Sequence, residues 1–156
     1  MKVEIDGKLP RKLGLTKAQV RSAAICFATK SSARIGVPFC AVTIILQDDS
    51  FSAEVHKAIN GVEGATDVVT QRYDAMPGED AGVYGELYVN ADQALRVAPN
   101  RRGWSPAKEL LLYNAHGMDH LSGADDVKSK DYECMRRREL RWLKSLEKIK
   151  GILERT

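Results

Sequence analysis

The sequence predicts an α+β fold: a small mixed β-sheet packed against several helices, with one apolar helix at the centre. Three observations predict it. Residues 39–46, Phe39-Cys40-Ala41-Val42-Thr43-Ile44-Ile45-Leu46, form a dense run of β-branched and apolar side chains. Two further short segments, residues 66–70 and 85–90, are separated by a polar turn. The remaining apolar positions recur at helical spacing behind recognisable N-caps.

Each element follows from local chemistry. Val3 and Ile5 alternate with charged residues and are followed by Gly7, which reads as a short strand. Thr16 and Gln19 fit a capping box, with Leu15 and Val20 placed to staple the helix start; Val20, Ala23, Ala24 and Phe27 carry it to about Ser32. The 39–46 run reads as a strand covered on both faces. Asp48, Asp49 and Ser50 can cap a short helix over residues 51–59. Residues 76–82 are a polar turn, short enough that the strands on either side should pair antiparallel. Asn90 caps a helix over residues 91–98, stopped near Pro99. Ser105 then caps a helix with Pro106 at its first position, and Leu110, Leu111 and Leu112 make it apolar enough for the interior. Residues 131–153 form a long amphipathic helix striped by Met135, Trp142, Leu146, Ile149 and Leu153.

At 156 residues the chain suits a single domain, 1–156, with a core that needs no disulfide. No repeat, low-complexity tract or linker divides it. Cys26, Cys40 and Cys134 are odd in number and far apart, the pattern of reduced thiols and not of a disulfide framework or zinc finger. Charges near Met1 exclude the apolar run of a signal peptide, and no stretch approaches a membrane span, so a cytoplasmic protein is expected. A net charge of +3 permits a polyanionic partner without requiring one.

Chemistry concentrates in residues 116–126. His116 and His120 stand four residues apart, so on a helix both imidazoles rise from one face. Gly123 can end the helix and turn the chain so that a carboxylate returns, giving a site of the form His-x3-His-x5-Asp. Two imidazoles and a carboxylate leave zinc an open coordination position. Asp125 and Asp126 are both candidates for the third ligand. His56, the remaining histidine, reads as a structural or surface residue.

His116-Gly117, His120-Leu121, Gly123 and Asp125 resemble the signature HGxLHLxGYDH of the YbeY family, metal-dependent single-strand endoribonucleases that mature bacterial ribosomal RNA. Thr66-Asp67-Val68 resembles that family's TDVLSF strand, and Gly85-Glu86-Leu87 its GDI strand. Asp131 through Met135 resembles its acidic helix, so the likeness spans roughly residues 40 to 140. The resemblance implies one catalytic zinc ion held by His116, His120 and Asp126. It implies single-stranded RNA, a ribosomal RNA precursor, as substrate, with the ribosomal subunit or assembly proteins as partners. Three positions depart from the family: Asp126 replaces its third histidine, Asp119 replaces a leucine, and Asn60 stands where it carries an arginine. Those departures suit an alternative, an RNA- or ribosome-binding assembly factor with a structural metal.

The His-x3-His arrangement is also metzincin-like, but a zinc peptidase needs glutamate as base directly after the first histidine, where this chain has Gly117. Glu86 and Asp119 are the candidate carboxylates to stand in as general base. Arg96, Arg101, Arg102 and Lys108 precede the metal helix, and Arg136 and Arg137 follow it, as candidate RNA contacts. The alternative for the run from Arg136 to Arg141 is a solvated helix face.

Overall fold

The computed structural model describes residues 1–148. Among the described residues, four strands and five α-helices make an α+β arrangement. Strands β1 (Lys2–Asp6), β2 (Phe39–Gln47), β3 (Val68–Tyr73) and β4 (Val83–Asn90) form a single sheet in the order β1-β2-β4-β3. β1, β2 and β4 run parallel, and β3 joins β4 antiparallel, as the short turn before β4 predicts. The helices are α1 (Lys17–Ile35), α2 (Asp49–Asn60), α3 (Ala91–Val97), α4 (Pro106–Leu121) and α5 (Ser129–Leu146).

The caps anticipated from sequence form. Thr16 accepts from the Gln19 amide while the Gln19 side chain accepts from the Thr16 N–H. Asp48, Asn90 and Ser105 cap α2, α3 and α4 by accepting from Phe51, Gln93 and Lys108. Three expectations need correction. β2 is not covered equally on both faces: Phe39, Val42, Ile44 and Leu46 are buried, whereas Cys40, Thr43 and Ile45 are only half-buried. α1 continues past Ser32 to Ile35. β3 starts at Val68 and not at residue 66, because Thr66 exchanges hydrogen bonds with the Ser52 hydroxyl and Asp67 accepts from the Val68 amide. Met135, Trp142 and Leu146 of the α5 stripe are buried as expected, while Ile149 and Leu153 lie outside the described residues.

Strand alternation gives the sheet two distinct faces. One carries Val3, Val42, Ile44, Leu87 and Val89 into the core against α1 and α4. α5 closes the other side of α4 and reaches α1, where Phe27 and Trp142 stack at 6.2 Å. α4 is therefore enclosed by the sheet, α1, α3 and α5, and every residue from Glu109 to Asp119 is buried. Close approach to the sheet depends on Gly117, whose place a Cβ would fill within 2.5 Å of Leu87. The fully buried Leu87 has nowhere to move, so the small gain in helix propensity from Gly117→Ala would be outweighed by overpacking.

Candidate metal centre

The last turn of α4 presents His116 and His120, and the chain beyond it reverses at Gly123, which holds φ +96°. That reversal returns Asp126 to the two imidazoles. His116 Nε2 lies 3.1 Å from His120 Nε2, and Asp126 Oδ2 lies 3.5 Å and 3.4 Å from them. Asp125 is exposed and accepts from the Val127 amide instead. The structure thus brings together His116, His120 and Asp126, with His116 buried and the other two half-buried.

Hydrogen bonds on the far side of each ring define the tautomers. His116 Nδ1 donates to the Glu139 carboxylate at 3.0 and 3.1 Å, and His120 Nδ1 donates to the Ala124 carbonyl at 3.1 Å. Both Nε2 atoms therefore turn into the space shared with the Asp126 oxygen, where either a proton on one ring or a metal ion must lie between them. Tetrahedral zinc with ligands at about 2.0–2.1 Å separates those ligands by about 3.3–3.4 Å. Separations of 3.1, 3.4 and 3.5 Å fit that requirement, and a histidine held by a carboxylate from behind is a recurrent metal-site device. Burial opposes a charged His116, but the Glu139 carboxylate outweighs it and raises the imidazole above its ordinary value. Burial likewise raises Glu139.

Glu139 was not among the sequence candidates. Its signal lies in the α5 stripe, where Met135, Glu139, Trp142 and Leu146 fall on one face and a carboxylate interrupts an apolar row. Asp67, which also acts electrostatically on His116, was missed as well. It precedes β3 in the Thr66-Asp67-Val68 segment.

Neither carboxylate considered as a general base reaches the site. Gly85 and Leu87 face α4, so Glu86 points to the opposite face of the sheet, where the Tyr73 and Tyr88 hydroxyls donate to it. Asp119 is fully buried and accepts from Arg138 at 3.0–3.2 Å, with Arg34 at 3.4 Å. A side chain at position 117 would face Leu87 and Val68, not the metal ligands, so the peptidase arrangement cannot form.

The candidate RNA contacts divide into two groups. Arg136 lies beside the centre, 3.7 Å from Glu139 and hydrogen-bonded to the Tyr132 hydroxyl; Arg137 is exposed next to it. Arg101 and Lys108 flank Trp104 at the start of α4, Arg102 is exposed nearby, and Arg96 pairs with Asp49. Lys108 and His120 are separated by about 18 Å of helix. Asn60 ends α2 in an exposed position, and His56 Nδ1 is tied to the Gly64 carbonyl at 2.9 Å.

A family model described as Endoribonuclease YbeY matches residues 12–147, well over half of the chain. A protein of that name from Thermus thermophilus is 35% identical over 106 residues, spanning 66% of this chain and 74% of its own length. One from Elusimicrobium minutum is 30% identical over 126 residues, spanning 80% and 82%. The solution structure of TM1509 from Thermotoga maritima superposes with a TM-score of 0.60, covering 94% of this chain and 89% of that one. Its identity is 22%, so it speaks to the fold alone. With the fold and most of the sequence in agreement, the chain belongs to the endoribonuclease YbeY family.

Proposed function

We propose that this chain is a zinc-dependent endoribonuclease that cleaves single-stranded RNA in ribosomal RNA maturation, acting in the cytoplasm as one domain. The convergence of His116 Nε2, His120 Nε2 and Asp126 Oδ2, with both Nδ1 atoms engaged from behind, carries this reading. When bound, a zinc ion supplies Lewis acidity for the scissile phosphodiester and eases deprotonation of water. The chain's own contribution is to hold and orient. Glu139 fixes the His116 ring, the Ala124 carbonyl fixes His120, and the turn at Gly123 sets Asp126. Arg136, whose charge acts on His116, offers a cation for a bound phosphate, with exposed Arg137 next to it on α5; Arg101, Arg102 and Lys108 form a separate basic cluster at the far end of α4. No helix among the described residues is long and apolar enough to cross a membrane.

A second reading, an RNA- or ribosome-binding assembly factor with a structural metal, draws on Asp126 as third ligand and on uncharged Asn60, exposed at the end of α2, where the resemblance implies a histidine and an arginine. One assay separates the readings. Zinc-loaded protein is incubated with single-stranded RNA, with the same sequence as a duplex, and with casein. Cleavage of the single strand alone is expected. RNA bound but left intact would establish the second reading, and cleavage of casein would overturn both.

A further inference from the structure

Because β1, β2 and β4 are parallel, their carboxyl ends, at Asp6, Gln47 and Asn90, open on the same edge of the sheet. In open α/β sheets that edge is where ligands bind. A cavity of about 870 Å³ lies there, lined by residues that directly follow all three strands, and this volume lies in the range of small-molecule sites. It shares no residue with the metal centre.

The walls differ in chemistry. Lys8, Arg11 and Lys12 form one side; all three are exposed and none has a partner among the described residues. Asp48 and Asp92 line the other, each accepting a backbone N–H, from Phe51 and Asp49 respectively. Phe51 also lines the cavity and is 58% exposed, which leaves its ring free to stack. A ligand that satisfies every wall carries an anion at one end, hydrogen-bond donors at the other and a flat apolar surface between.

We propose that this cavity is a nucleotide-binding pocket. Lys8, Arg11 and Lys12 take the phosphate, and Phe51 stacks on the base. The acidic wall disfavours ligands that are anionic throughout. The nucleotide is either free or one residue of an RNA chain, and the proposal stands independently of the metal centre.

Calorimetry with the full chain tests it, using the four nucleoside monophosphates, with adenosine, ribose 5-phosphate and inorganic phosphate as controls. Saturable one-to-one binding of at least one monophosphate is expected, tenfold or more tighter than any control. The double variant Arg11→Glu, Lys12→Glu should weaken it at least tenfold, and Phe51→Ala roughly fivefold or more, the scale of one base-stacking contact. These side chains are exposed, and circular dichroism with metal stoichiometry verifies that the variants fold. An oligonucleotide that binds more tightly than the monophosphates supports the pocket as an RNA subsite, and one that binds more weakly supports a free nucleotide. Absence of binding at millimolar nucleotide, equal affinity for inorganic phosphate, indifference to the variants, or preference for an acidic peptide would each overturn the proposal.

Discussion

Two buried carboxylates join α4 to α5 less than one helical turn apart, and they do opposite work. Glu139 reaches from α5 to His116, and Asp119 reaches from α4 to Arg138; both are fully buried. Asp119 meets guanidinium groups from two elements, so its charge is answered within the fold. Glu139 meets Arg136 at 3.7 Å and, more closely, an imidazole whose second nitrogen faces His120 and Asp126, so the interaction continues toward an open site. A buried carboxylate is therefore structural or functional according to what its partner leaves unsatisfied. Burial alone separates neither case.

Four measurements would break or sharpen that contrast. The largest effect belongs to Asp119→Ala, which leaves the partly exposed Arg138 and Arg34 without their buried counter-charge and should lower the unfolding free energy by about 3 kcal/mol, measured in denaturant. Next, Glu139→Gln keeps the shape but removes the charge behind His116, and metal affinity should fall by about 10–100-fold. Unchanged affinity would reduce Glu139 to a packing residue. The double variant Asp119→Leu, Arg138→Leu replaces the ion pair with apolar side chains of similar size. It should fold within about 1 kcal/mol of the parent or above it, and still bind metal. A large loss would show that the pair does more than hold the helices. The smallest effect concerns Asp49, whose pKa the Arg96 side chain lowers. A lowered folded-state value stabilises above the unfolded value near 3.8, and that contribution disappears as pH falls through the folded value. The pair is exposed, so removing Arg96 should flatten only slightly the fall in stability below pH 4.

What the sequence disclosed was local. The Thr16–Gln19 box, the Ser105 cap and the His116/His120 spacing each depend on residues within four positions of one another, and the structure reproduces them. The turn at Gly123 belongs to the same class, since a positive φ near a helix end is a glycine signal. Residues whose roles depend on the tertiary fold were harder to read. Glu86 belongs to a strand with the right family pattern, but which face it occupies is set by register and by α4 packing on Gly85 and Leu87. Asp119 looked anomalous beside a ligand because Arg34, which helps neutralise it, comes from 85 positions away. Glu139 was readable only as a gap in an apolar stripe, and the stripe does not disclose that the gap faces His116.

The central claim is that His116, His120 and Asp126 hold one metal ion, and an equilibrium zinc titration tests it most directly. One equivalent should bind per chain, with binding abolished in His120→Ala and weakened in Asp126→Ala, and with Asp125→Ala behaving as the parent. One equivalent bound with undiminished affinity by the His120→Ala chain would contradict it.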